Sequence, residues 1–213
     1  MGGCQYIVAI ELLEPFISKW MFHELKHVLE VLPGECVHIY GVRRECEVSI
    51  LAGLFGYVSQ GSIAESGDLQ RFDRVLVLDP RAERVLSPGD FSGRVLVVVG
   101  GIMGSHPPSG RTHRELTSRL SLGEARNIGA GQYTIDGAVY VASEVARGKR
   151  LDEIPFVDGL TLTGEGFEVF LPYRYPLRNG APFISEEEKR YILEELEEDE
   201  YQFLSQGRPP AIC

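Results

Sequence analysis

The chain has 213 residues, 44% hydrophobic and 24% charged, the balance of an ordinary soluble globular protein with room for one sizeable core. No apolar run reaches bilayer-spanning length and the start lacks a basic-then-apolar leader, so neither a membrane segment nor a secretion signal is expected. Of the net charge of −10, residues 185–201 supply −7 through nine acidic and two basic side chains, leaving −3 elsewhere. No basic tract argues for nucleic acid. Cys4, Cys36, Cys46 and Cys213 show neither C-x-x-C nor metal-finger spacing. They read as reduced thiols, which makes the cytoplasm the default compartment.

In chain order, residues 5–10 (QYIVAI) read as a first strand, followed by Glu11, Glu14 and a helix-opening Pro15. Ile17, Met21, Leu25, Val28 and Leu32 recur at helical spacing until Pro33-Gly34 stops the run. His23 and His27 share a face of that helix and, with no third ligand nearby, read as surface residues. Residues 36–42 suggest a second strand, 48–58 either a poor helix or loose coil, and 61–68 a loop. Residues 74–79 and 95–99 are the most strongly marked strands. The second is apolar throughout and so expected to be buried on both faces. Ser87-Pro88-Gly89 marks a turn between them.

Thr112 and Glu115 have capping-box spacing and predict a helix to near Gly123, with a further strand at 125–128. Thr134 opens a helix whose Ile135, Ala138, Val139, Ala142 and Val145 fit one face. Residues 167–171 alternate as a short strand, and Pro172, Pro176 and Pro182 interrupt the stretch after it. Ser185 and Glu188 predict a capped acidic helix to about Leu204. Its C-terminal carboxylates oppose the helix dipole, so fraying is expected unless a basic neighbour compensates. The alternation predicts an α/β fold with a mainly parallel sheet and helices on both faces. The domain spans 1–180, with an acidic C-terminal helix and tail at 181–213.

Gly100, Gly101 and Gly104 follow the 95–99 strand, where open α/β folds place ligands. The loop is not a triphosphate-binding motif: five residues, not four, separate Gly104 from Gly110, and Arg111 stands where that motif has Lys. Nor does GGIMG have the dinucleotide-binding order. Asp79 ends an aliphatic strand without a close acidic cluster, favouring a ligand-facing or strand-capping role over a metal. No metal is expected. His106 either shuttles a proton or is a solvent-exposed loop residue, and Glu11 is either functional or a helix cap. GGIMG pairs with a second glycine-bearing strand end, NIGAGQYT. Backbone N–H groups at such turns read an adenine edge or a carboxylate, and the scarcity of Lys disfavours a phosphate-rich ligand. A neutral or zwitterionic nucleoside fits, S-adenosylmethionine (SAM) among them.

LDPRAE (78–83), LSPGD (86–90), GGIMGSHPPSGRT (100–112), NIGAGQYTIDGAVYVA (127–142) and IPFVD (154–158) resemble successive blocks of the SPOUT-type methyltransferases. The resemblance runs from about Tyr6 to Arg174. It is to the branch that holds archaeal proteins labelled SAM-dependent RNA methyltransferases and a yeast ribosomal-protein arginine methyltransferase. It implies a C-terminal trefoil knot threaded between about Asp79 and Gly148, with three loops around a bent SAM. Carried over, Leu78, Asp79 and Pro80 belong to the first loop, Gly100, Gly101 and Gly104 to the second, and Gly129, Gln132 and Thr134 to the third. The family's N-terminal signature is matched by Glu11, Ser18, Trp20 and Glu24, whereas Leu12 stands where the family has His.

The implied activity is methylation in the translation machinery, with an arginine of a basic ribosomal protein as acceptor. A guanidinium is protonated at ordinary pH and is bound well by carboxylates. Glu11 and Asp79 are therefore the expected acidic catalytic environment, with His106 or Arg111 shaping the entrance. Two alternatives stay open. An RNA methyltransferase would need a basic funnel, for which Arg71, Arg74, Arg111, Arg114 and Arg119 are possible sources. A SAM-binding module without catalysis would fit the missing His. Monomer and homodimer are equally compatible with the sequence.

Overall fold

A computed structural model describes residues 3–103 and 110–213. Six strands form a wholly parallel sheet: β1 (Ile7–Leu12), β2 (Val37–Tyr40), β3 (Tyr57–Val58), β4 (Arg74–Leu78), β5 (Val95–Gly101) and β6 (Gly123–Arg126), in the order β3-β2-β1-β5-β4-β6. Because side chains alternate, Val95, Val97 and Val99 of β5 join one core cluster while Leu96 and Val98 join the other. That division explains the unbroken apolar run. Each such side chain, fully buried, contributes about 1.5–3 kcal/mol.

One face is covered by α1 (Lys19–His27) and α3 (Ile135–Ala146), the other by short turns carrying Ile63, Leu69, Leu116 and Leu120. The undecided 48–58 stretch divides between α2 (Glu45–Leu51) and β3. The helix expected from Thr112 is a short π-helical turn, Thr112–Leu116, followed by a 3-10 turn. Thr112 is not its cap, since Glu115 turns to Arg111 instead of closing a box. Ser87-Pro88-Gly89 does turn, with the Ser87 N–H and hydroxyl both donating to Asp90.

After α3 the chain forms an antiparallel hairpin, β7 (Phe156–Thr163) and β8 (Glu168–Arg178), extended by β9 (Ala181–Pro182). The prolines do not break β8, contrary to expectation. The register slips between Asp158 and Leu160, opposite Pro172, so no ladder N–H is required there. The acidic segment is two helices, α4 (Glu186–Glu194) and α5 (Leu196–Gln206), bent at Glu195. Lys19 supplies the compensating cation, 2.9 Å from Asp199 and 3.8 Å from Glu195. Residues beyond α5 return to α1, where Lys19 N–H donates to Pro210 O and Ile212 N–H to Ile17 O.

α3 is buried on every side, not on one face. Its start is fastened by polar groups inside the core. Thr134 Oγ1 accepts from Gly137 N–H, and the Ile135 N–H donates to Glu24 Oε2 at 2.8 Å. His27, expected at the surface, is buried 2.6 Å from Asp136 and stacked on Phe183, while His23 is half-buried against Tyr191. Ser185 caps α4 as expected, but the Glu188 carboxylate turns inward and accepts from Trp20 Nε1 at 3.0 Å. Glu24 and His27 from α1, Asp136 from α3, Glu188 from α4 and the Tyr173 and Tyr175 rings from β8 thus share one interior region. Burial, and then the Asp136 charge, push the Glu24 carboxyl up to about 8, and the same causes raise Glu188.

The cysteines overturn the reduced-thiol reading: Cys4 bridges to Cys36 and Cys46 to Cys213. Spacing could not reveal this, because the second pair is 167 residues apart in sequence and meets only through the fold. The compartment argument drawn from free thiols therefore falls away. No helix among the described residues is long and apolar enough to cross a membrane.

These contacts have two measurable consequences. Closing so long a loop restricts the unfolded chain, so Cys213→Ser is expected to cost about 2–5 kcal/mol in urea unfolding. Thiol titration of the oxidised native wild type should find no free thiol. A carboxyl raised from 4.5 takes up a proton on folding, so its contribution is complete below 4.5 and is lost as pH rises through about 8. Wild-type stability should therefore fall across that window. Glu24→Gln, which keeps an acceptor for Ile135 N–H, should flatten the decline.

Candidate active site

The sheet order sets the C-terminal ends of β4, β5 and β6 close together, and the loops leaving them enclose a cavity of about 300 Å³. That is the lower end of small-molecule sites. Leu78, Asp79, Pro80, Gly100, Gly129, Gln132 and Thr134, all expected around a cofactor, line it. Gly101 does not. It is buried against β1, where an added Cβ would stand 2.6 Å from Leu12 Cδ2. Gly104 and His106 lie outside the described residues.

The third loop needs glycine because Gly129 and Gly131 have φ of +98° and +116°, which side-chain-bearing residues rarely adopt. Gly129 N–H donates to Asn127 Oδ1, and the Tyr133 hydroxyl closes the loop by donating to Ile128 O at 2.7 Å. Burial pushes the Tyr133 phenol up to about 12, so it stays a donor. From outside, Arg174 of β8 grips the same loop. Its backbone N–H donates to Gln132 O, its guanidinium donates to Ala130 O, and that guanidinium lies over the Phe156 ring.

Leu78, Val99, Ile102, Ile128, Ile135 and Ala138 make the cavity wall largely apolar, and Asp79 is its buried carboxylate. Burial alone would raise the Asp79 pKa. The Arg81 N–H, the Thr117 hydroxyl and His113 outweigh it and hold the carboxyl below its ordinary value. Asp79 Oδ1 accepts from Arg81 N–H at 2.8 Å, and Oδ2 lies 2.9 Å from His113 Nδ1. The loop after β4 is positioned in turn by a charged network joining it to β6. Arg126 and Arg74 both pair with Asp90 and Glu124, and the two arginines pull Glu124 down to about 2.

Arg111 also lines the cavity, with its guanidinium held by Glu14 at 2.6 Å and by Glu115 at 3.1 Å. Glu11 is not among the lining residues. It is 3% exposed and accepts from the Ile63 N–H at 2.9 Å, one strand away from Gly100, its register partner on β5. Asp79 and Arg111 are thus brought together, and Glu11 stands behind them. Sequence reasoning missed His113, Arg81, Ile102 and Tyr133. Tyr133 lies inside the quoted NIGAGQYT block and His113 directly after GRT, but no spacing rule ties His113 to Asp79, 34 residues earlier.

The donor set suits SAM: apolar walls for a nucleoside, main-chain groups on two glycine-bearing loops, one buried carboxylate and no Lys among the lining residues. Comparisons with known proteins agree. The chain is 33% identical over 122 residues to "Protein arginine N-methyltransferase SFM1" of Saccharomyces cerevisiae, a match covering 56% of this chain and 57% of that enzyme. The chain thus spans under two thirds of that relative in the alignment. The fold superposes on the crystal structure of the yeast arginine methyltransferase SFM1 complexed with SAM with a TM-score of 0.79 at 25% identity, covering 91% of this chain and 92% of that one. The dual-specific Trm10 from Thermococcus kodakaraensis shares the fold alone, with a TM-score of 0.52 at 21% identity over 69% of this chain and 96% of that one. A family profile described as "Protein arginine N-methyltransferase SFM1-like" matches residues 6–199, reaching past Arg174 into the acidic helices. The chain belongs to the SFM1-like protein arginine N-methyltransferase family.

Proposed function

We propose that the chain is a SAM-dependent methyltransferase of the translation machinery whose acceptor is an arginine of a basic ribosomal protein. The observation that carries this reading is the cavity itself: three loops meet around it, each supplying residues that the SPOUT resemblance assigns to SAM. SAM supplies an electrophilic methyl group on a sulfonium, and the protein's part is chiefly positioning and charge. Gly100 and Gly129, which have no side chain, present main chain toward the nucleoside beside Gln132, while Leu78, Ile128, Ile135 and Ala138 exclude water from it. Asp79 supplies negative charge in the cavity, Arg111 shapes the entrance, and Glu11 adds charge from behind Gly100 without touching the ligand. The trefoil threading between 79 and 148 belongs to the same reading, as does a cytoplasmic place of action. That compartment is compatible with two disulfides where intracellular proteins keep them, as in hyperthermophiles.

An RNA acceptor is disfavoured by one feature. Arg71, Arg74, Arg111, Arg114 and Arg119, the arginines a basic funnel would draw on, each pair with a carboxylate. Their charge is compensated locally. The α4–α5 surface, rich in carboxylates, suits a basic protein instead.

Titration calorimetry with SAM, followed by radiolabel transfer to ribosomal protein and to RNA, tests the assignment. Label is expected on protein arginine, with no steep loss of RNA affinity in salt of the kind phosphate contacts produce. Label on RNA alone would move the chain to the alternative. Glu11→Gln, which keeps an acceptor for Ile63 N–H, should lower transfer at nearly unchanged SAM affinity.

A further inference from the structure

We infer that His113 is the proton acceptor of the reaction, oriented by Asp79; this rests on the arginine-methyltransferase reading. The ring lines the cavity, and its Nδ1 lies 2.9 Å from Asp79 Oδ2. The Asp79 side chain is 1% exposed and that of His113 is 50% exposed. The pair therefore runs from the protein interior to the cavity mouth. A carboxylate accepts only, so the neutral ring donates from Nδ1 and leaves the Nε2 lone pair directed away from Asp79. Asp79 cannot swing from this role, because the Arg81 N–H holds its other oxygen. The same carboxylate stabilises the imidazolium once a proton arrives.

The chemistry needs such a group. As the acceptor guanidinium nitrogen attacks, the N–CH₃ bond forms and the S–CH₃ bond breaks, and sulfur keeps the bonding pair to leave a neutral thioether. Guanidinium plus sulfonium carry two positive charges, and methylguanidinium plus thioether carry one. The proton leaving the attacking nitrogen takes the difference to His113 Nε2. Glu11 is buried away from the cavity lining with the Ile63 N–H on its Oε2, and Arg111 is a cation held by Glu14 and Glu115. Neither accepts a proton at the cavity. Among the described residues, the charged groups lining the cavity with His113 are Asp79 and Arg81 from the loop after β4 and Arg111 from its own segment. Arg111 is compensated by Glu14 and Glu115, and the neighbouring Arg114 also pairs with Glu115.

Histidine-selective ¹⁵N spectra of the unliganded protein provide a readout independent of turnover. The wild-type neutral ring should be the Nδ1–H tautomer, and Asp79→Asn should abolish that preference. With SAM and a basic peptide carrying one arginine, His113→Asn and His113→Gln should each lower kcat by about 10²-fold. The KM for SAM should hold, and the acid limb that an imidazole base gives the pH–rate profile should vanish. An Nε2–H tautomer in the wild type, or His113 variants with wild-type kcat and an intact acid limb, would overturn the inference while leaving the function standing. A wild type that binds SAM yet labels no arginine refutes the functional reading and this inference with it.

Discussion

The 2.8 Å hydrogen bond from the Ile135 amide to Glu24 fastens the first turn of α3 to α1 inside the core, and the wall of the cavity depends on it. Helix N-termini carry amides with no partner in their own helix. Here one of those amides, buried, is met by a side chain from an element more than a hundred residues earlier. Three residues at this helix start, Thr134, Ile135 and Ala138, are cavity wall. The same interior region takes the Glu188 carboxylate of α4, so the docking of the acidic helices and the placement of the cavity wall draw on one set of buried acids. Buried charge is tolerated only when paired or neutralised, and the raised Glu24 and Glu188 carboxyls take the second route.

A second fixed frame ties the strands that carry the loops of the cavity. Arg74 and Arg126 with Asp90 and Glu124 tie β4, β6 and the 88–90 turn together, so the loop carrying Asp79 leaves from a stiff edge. Arg126 is 4% exposed at its side chain, and each of its partners accepts from a second donor, the condition under which a buried ion pair holds position. Between this frame and α3, the third loop spans the gap on two glycines in the left-handed region, with Arg174 clamped over it.

Much of this was legible in the chain. Alternation and apolar runs located β1, β2, β4 and β5, since those strands are buried on both faces and the residue types say so. The capping residues Thr134 and Ser185 marked two helix starts because their signal is local. The features that stayed hidden depend on partners distant in sequence. Nothing near Glu188 says that its carboxylate will meet Trp20, nothing near Cys46 points to Cys213, and His27 needs Asp136 to become an interior residue. β8 misled because proline in a strand is judged by the ladder it interrupts, and the register slip at Pro172 is visible only once β7 is in place. In the site, the glycine loops were readable from their motifs, whereas the Asp79–His113 pair is a product of folding.

The bridge between Cys46 and Cys213 has a consequence for the acidic helices. α4 is anchored at one end through Ser185 and Glu188, and beyond α5 the chain is clamped to α1 and then covalently to α2. A segment held at both ends is not a free polyelectrolyte brush. Its backbone is confined, so the carboxylates stay on one fixed stretch of surface while their exposed side chains keep their rotamer freedom. The backbone freedom of that segment is surrendered during folding, so an encounter with a basic surface need order only side chains.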